Sequence, residues 1–317
     1  MPKIAFLFPG QGAQYVGMGK DFYEQYATAK QVFEEADDFL GRSLSQLVFT
    51  GSKEELSQTK NSQPAIYVVS WAIHQVLRQR YPSLIPAVCA GLSLGEYTAL
   101  AATGKISFQE GLQLVSKRAS FMQEACEIAP GSLRVVLGLE EEAVEQVLLA
   151  CKDEGYTCVA NLNCPGQVVI AGTVDGLEKA SAHLKQAGAK RVLPLDVSGA
   201  FHSELMRSAR EGLTPFLQKT VLLDTPIDFL MNVTGGFAFG VEAIRNNLIC
   251  QVTSPVRWQK GIETMKKSGV DCFVEIGCGT TLQGMNKRIG VEPTYSIEKV
   301  EDLRELARIG EMTHGNA

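Results

Sequence analysis

Short apolar runs alternate with helical stripes along most of this chain. Strands are predicted at Ile4 to Phe8, Ala87 to Ala90, Ile227 to Val233 and Cys272 to Ile276, with helical spacing of apolar residues between them. From Pro64 to Arg80 the apolar positions are 65, 66, 69, 72, 73, 76 and 77, one face of a helix. Ser-x-x-Glu boxes at Ser52 and Ser107 open two more helices. Strands alternating with helices in this way describe an α/β fold, a mostly parallel sheet covered by helices.

The stretch from Leu133 to Leu195 has another rhythm: strand 133–138, helix 140–151, strand 157–161, a turn at Asn163-Cys164-Pro165-Gly166, strand 167–172, helix 175–187 and strand 191–195. That β-α-β-β-α-β order is a ferredoxin-like unit, complete in itself. It is expected as a small domain at 129–196, inserted into a large α/β-hydrolase-like domain made of 1–128 and 197–317, with a cleft between the two. No repeat or low-complexity tract interrupts the pattern, and a polar tail after Gly310 is expected to fray.

Composition narrows the partners. The 317 residues are 45% hydrophobic and 21% charged, ordinary for a folded chain, and the net charge of -5 argues against nucleic acid or an anionic membrane, which need a basic face. No apolar stretch approaches the roughly 20 residues of a membrane span. Eight cysteines are scattered, with no Cys-x-x-Cys, and the first strand begins at Ile4, so no secretion leader is expected. Reduced thiols in a cytoplasmic protein follow.

The chemistry starts at Gly91-Leu92-Ser93-Leu94-Gly95, after the run ending at Ala90 and before helix-forming Glu96 to Ala101. A serine between glycines at a strand-to-helix turn is a nucleophile elbow, which lifts the hydroxyl clear of the sheet and points to acyl transfer. The pentapeptide alone is weak, because it arises by chance in about one chain in ten of this length. The serine needs a base. Of the four histidines, His74 falls within a helix, His183 on the second helix of the small domain and His314 in the tail, while His202 stands where the chain returns from the small domain. That hinge faces the cleft, so His202 is the candidate base. Asp196 is a minor candidate for the group that orients it. For the oxyanion, the amide of Leu94 follows the serine, and the amide of Gln11 lies in Pro9-Gly10-Gln11-Gly12 at the end of the first strand.

Arg118 projects from an apolar stripe, with Leu114, Val115, Phe121 and Met122 at helical spacing around it. A buried guanidinium left without a partner costs about 3 to 5 kcal/mol, so something anionic should meet it, either a protein carboxylate or a substrate carboxylate. Lys117, Lys190, Arg191, Lys287 and Arg288 are candidates for a basic surface beside the cleft. Gly277-Cys278-Gly279-Thr280 follows a strand like a phosphate cradle but has neither the P-loop lysine nor dinucleotide spacing. No metal cluster is visible.

Taken together, Gly10-Gln11-Gly12, Gly91 to Tyr97, Arg118 in Lys117-Arg118-x-x-Phe121-Met122, Gly199-Ala200-Phe201-His202-Ser203 and Asn232-Val233-Thr234 make the chain resemble malonyl-CoA:acyl carrier protein transacylases. Asn161-Leu162-Asn163-Cys164-Pro165-Gly166-Gln167 and Glu275-Ile276-Gly277 extend the resemblance, which runs in order from residue 3 to about residue 300. It implies a ping-pong reaction in which Ser93 takes malonyl from malonyl-CoA and passes it to the phosphopantetheine thiol of a holo acyl carrier protein. His202 would act as base and then acid, steered by a main-chain carbonyl at the position matched by Gln251. Arg118 would grip the malonyl carboxylate bidentately, and Phe201 would favour malonyl over branched groups. No cofactor is implied, coenzyme A thioester being a substrate, and a monomer serving fatty acid synthesis is expected. A polyketide malonyl transferase or a carrier-editing serine thioesterase are the alternatives. Three positions depart from the family pattern: Leu92 replaces a histidine, Cys278 a proline, and Leu133-Arg134 a Met-Ala type pair, with Arg134 a possible second cation near the cleft.

Overall fold

The computed structural model describes residues 3–197 and 199–306. Ten strands, numbered along the chain, form two sheets. The larger contains β1 (Ile4–Phe8), β2 (Val88–Gly91), β7 (Asp228–Met231), β8 (Gly236–Phe237), β9 (Cys272–Ile276) and β10 (Thr294–Ile297), in the order β10-β9-β1-β2-β7-β8. Every pair is parallel except β7 with β8. Both faces of this sheet are covered by helices, so β1, β2 and β9 are buried at every residue, which is why they read as unbroken apolar runs. The chain crosses from one side of β1 to the other between β7 and β9. Loops leaving β1 and β9 therefore diverge and open a crevice at the carboxyl ends of the strands.

Several elements differ from expectation. The strand expected at Ile227 to Val233 is the shorter Asp228–Met231, because the chain turns there into the β8 hairpin. The edge strand β10 was not foreseen, since Thr294 and Ser296 dilute its apolar pattern. The helix read from Pro64 begins at Thr59. An interior proline leaves the Lys60 carbonyl without its N–H donor, and Arg42 Nη2 donates to that carbonyl at 3.3 Å instead. The Ser107 capping box is complete in both directions, and the Ser52 hydroxyl accepts from the Glu55 amide at 3.1 Å.

The smaller sheet is antiparallel: β3 (Ser132–Leu137), β4 (Thr157–Cys164), β5 (Gln167–Gly172) and β6 (Arg191–Pro194), in the order β4-β5-β3-β6. That is the ferredoxin-like order. β4 runs on to Cys164, so the expected four-residue turn shrinks to Pro165 and Gly166. Helices Glu141–Ala150 and Val174–Gln186 cover one face around a core of Val136, Val144, Leu148, Ile170, Leu177 and Leu184. The opposite face looks at the larger sheet. Alternation along β3 sends Leu133 and Val135 to that face and Arg134 to the helix side, where its Nη1 donates to Ser181 Oγ at 2.7 Å. Arg134 is therefore no cation of the cleft. The smaller sheet is tied to the rest of the chain where Leu162 N–H donates to the Val256 carbonyl (2.8 Å) and Val256 N–H to that of Ala160 (2.9 Å), Val256 lying in the loop before the helix Trp258–Lys267.

All eight cysteines are free. Among the described residues no helix is long and apolar enough to cross a membrane, and no group of three or more His, Cys, Asp and Glu side chains is placed to hold a metal ion. His314 and the tail after Gly310 lie outside the described residues.

Candidate active site

The elbow works because of two glycines. A Cβ at Gly91 would collide with the Gly95 backbone, and one at Gly95 with the Phe8 carbonyl, so the strand, the turn and the helix Gly95–Ala102 can approach only without side chains there. Between them Ser93 is held at φ 52°. His202 is held at φ 60°. Among the described residues these are the only non-glycine positions with positive φ, each costing on the order of 1–3 kcal/mol, which the surrounding fold must impose. The two residues nominated for chemistry are the two that are strained.

They meet. Ser93 Oγ lies 2.8 Å from His202 Nε2, although the residues are 109 apart in sequence. His202 Nδ1 is 2.9 Å from the Gln251 carbonyl oxygen and 3.2 Å from that of Ser254. Carbonyls can only accept, so Nδ1 carries the proton and Nε2 is left with the lone pair that can take the serine proton. Asp196 lines the rim of the cavity but is not among the partners of His202; the orienting group is main chain. Burial, reinforced by the Arg118 guanidinium, pushes the His202 pKa down to about 4, so the imidazole is neutral and competent as a base at ordinary pH.

Arg118 comes from the helix Phe108–Ile128 and is 1% exposed. Its Nη2 donates to Ser93 Oγ and to Gln251 Oε1, both at 2.9 Å, and its Nη1 to Gln63 Oε1 at 2.7 Å. Its charge also lies 5.6 Å from the centre of the Tyr97 ring. Among the described residues Arg118 forms no salt bridge. The open question of its partner is thus answered in part: the hydrogen-bonding groups that hold it are neutral.

A second layer braces this constellation; Asn232 and Glu96 fall within the sequence motifs named above but had no role assigned to them there. Asn232, after β7, accepts from Ser93 N–H at 2.6 Å and donates from Nδ2 to the Gly91 carbonyl at 2.7 Å, clamping the elbow from both sides. Glu96, fully buried one turn beyond the serine, accepts from Asn232 N–H and from Gln251 Nε2. Burial dominates and raises its carboxyl to about 8, against the downward pull of those donors and of Arg118. Gln63 was also missed. Its one sequence signal is an amide beside Pro64 at the head of a helix whose first residues are buried; Glu96 offered a clearer one, a lone carboxylate in an otherwise apolar helix.

A cavity of about 480 Å³ opens above these groups. Gln11, Gln63, Ser93, Met122, Phe201 and His202 line its floor. Leu133, Val135, Val169, Asn161, Asn163 and Gln167 line the wall given by the smaller sheet. The loop after β1 packs on the elbow so closely that a Cβ at Gly10 would strike the Leu92 carbonyl, which brings Gln11 beside Ser93. Leu94, directly after the serine, is the N-cap of the helix Gly95–Ala102. The Leu92 side chain lines the cavity, while its amide and carbonyl take part in the turn through Phe8 and Gly95.

Other sequence candidates fall elsewhere. His74 is a core residue against the rings of Phe6, Phe8 and Trp71, its pKa lowered to about 3 by burial. His183 pairs with Glu154 on the surface at 3.0 Å. Lys117 lies over the Phe216 ring. The Gly277 to Thr280 turn does precede a helix, Thr281–Ile289, but the Glu275 carboxylate takes the Leu282 and Gln283 amides at 3.0 and 2.9 Å, so a protein anion already occupies the place of a phosphate. Cys278 is buried with its thiol pushed above the usual range, an inert filler.

The acyl transferase domain profile matches residues 5–316. The chain belongs to this family. It is 44% identical over 290 residues to the malonyl CoA-acyl carrier protein transacylase of Bacillus subtilis, covering 91% of each chain. The structure superimposes on the malonyl CoA-acyl carrier protein transacylase of Clostridium perfringens with a TM-score of 0.93 at 37% identity, covering 98% of each chain. A second family structure, a type II PKS acyl-carrier protein in complex with its malonyl-transacylase, gives a TM-score of 0.92 at 37% identity, over 95% of this chain and 97% of that one.

Proposed function

We propose that this chain transfers malonyl from malonyl-CoA to the phosphopantetheine thiol of an acyl carrier protein through a malonyl ester of Ser93, supplying extender units for fatty acid synthesis. The observation that carries the reading is a buried guanidinium held only by neutral hydrogen-bond partners, one of them the hydroxyl of a base-activated serine. Such a cation has no directly paired carboxylate until a substrate carboxylate arrives.

In the first half-reaction His202 Nε2 takes the proton as Ser93 Oγ attacks the thioester carbonyl. The oxyanion forms beside the amides of Gln11 and Leu94, each such donor being worth about 2.7 to 4 kcal/mol of barrier. Collapse breaks the C–S bond, and the imidazolium returns its proton to the departing coenzyme A sulfur. In the second half the carrier thiol gives its proton to His202, its sulfur attacks the ester, and Ser93 leaves with that proton. Arg118 holds the malonyl carboxylate throughout, Phe201 limits substituents on the acyl chain, and Gln251 positions both Arg118 and His202. No cofactor enters; coenzyme A is a substrate. A monomer is the expected state, and eight unpaired cysteines support a reducing cytoplasm.

Intact-mass analysis after exposure to malonyl-CoA tests this. We expect one malonyl adduct, transferred to carrier thiol much faster than to water. Dominant hydrolysis would make the protein a thioesterase.

A further inference from the structure

The Gln251 side chain joins Arg118, Ser93 and Glu96. Its Oε1 accepts from Arg118 Nη2 at 2.9 Å, and its Nε2 donates to the Ser93 carbonyl at 2.8 Å and to Glu96 Oε2. Its own carbonyl receives His202 Nδ1–H. An amide has an accepting end and a donating end, and turning it over would set NH2 against the guanidinium and the oxygen against the Ser93 carbonyl. The clamp therefore depends on which way Gln251 faces.

We propose that Glu96 is a positioning residue for malonyl selectivity: by offering acceptors on both sides it fixes the orientation of Gln251, and through it the orientation of Arg118. Asn232 N–H, a main-chain donor that cannot turn over, takes one Glu96 oxygen, and the Gln251 amino group takes the other. Both neighbours are donors. An amide at position 96 has the same shape but only one accepting end, so it must set NH2 against either Asn232 or Gln251. The first conflict loosens the elbow brace, and the second favours the reversed Gln251 that takes an acceptor away from Arg118. Glu96 touches neither substrate nor reacting atoms.

This inference rests on the malonyl reading above, and its test separates the two. Wild-type and Glu96→Gln proteins are compared for initial rates with malonyl-CoA and acetyl-CoA, alongside thermal unfolding. If the wild-type protein does not load malonyl, the proposed function fails. If it does, Glu96→Gln should raise the malonyl-CoA KM roughly tenfold or more, from a weakened hydrogen bond to a charged group. Its kcat should change much less, and the malonyl-to-acetyl preference should fall by a similar factor. Equal losses for both donors, whatever the change in unfolding temperature, would reduce Glu96 to a structural brace and overturn the proposal. Should Glu96→Gln fail to fold, Gln251→Leu supplies the second arm. It removes the same acceptor from Arg118, so it must also erode the malonyl preference, and a preference left intact sinks the idea.

Discussion

The two walls of the cleft are built from different materials. The floor on the larger sheet is charged and strained: Ser93 and His202 lie at positive φ and Arg118 and Glu96 are buried, with Arg118 Nε left without a hydrogen-bond partner. The wall on the smaller sheet is neutral, made of Leu133, Val135 and Val169 with the amides of Asn161, Asn163 and Gln167. Asn163 Oδ1 is buried there with no hydrogen-bond partner. Preorganised charge stabilises a transition state because it needs no rearrangement when the reaction occurs. A neutral surface grips less tightly, which suits a site that must release one thiol and accept another. Chemistry and exchange are thus divided between the two sheets.

That contrast can be broken from either side. Ser93→Ala should remove the malonyl adduct and lower transfer by about four orders of magnitude or more, as read by intact mass and rate. Arg118→Ala should lower kcat/KM for malonyl-CoA by roughly 10²- to 10³-fold and acetyl transfer far less; matching losses for the two donors would show that the cation does not meet a carboxylate. The base sharpens the point. Because the folded His202 pKa is lowered to about 4, kcat/KM should hold near its neutral-pH value at pH 5.5 and fall only on acidification through about 4. A histidine at the ordinary value of about 6.5 would already be about nine-tenths protonated at pH 5.5, so an acid limb near 6.5 would contradict the buried, Arg118-facing geometry. On the neutral wall, Asn163→Ala should raise KM by at most about tenfold with kcat little changed. The smallest effect belongs to Arg134→Ala, which faces the helices. Malonyl-CoA KM should shift by less than about twofold, and a larger change would mean that the register of β3 is different.

Much of this was legible before any coordinates. The burial of β1, β2 and β9 on both faces leaves unbroken apolar runs, and the β-α-β-β-α-β order marks the smaller unit. The elbow could be read because Gly91 and Gly95 answer a local steric demand. Less visible were groups whose role is set by distant neighbours. Gln63, Asn232 and Glu96 look like ordinary polar residues until helices and strands from four parts of the chain converge on Arg118 and Ser93. Arg134 was misplaced for the related reason that a strand's residues alternate sides, and one position decides whether a cation meets the cleft or a helix. The start of the Thr59–Arg80 helix was hidden too, since Pro64 reads as a first-turn residue unless Arg42 is known to serve the carbonyl it leaves open.

The sequence by itself determined the α/β class and singled out Ser93, His202 and Arg118 as the candidates for nucleophile, base and cation, because each leaves a local trace in periodicity or in small residues at forced positions. Tertiary structure alone decided that Ser93 Oγ lies 2.8 Å from His202 Nε2, that main-chain carbonyls rather than Asp196 orient the ring, and that Arg118 is held by neutral partners. Those facts are distances and orientations between segments far apart in the chain, and only tertiary packing sets them.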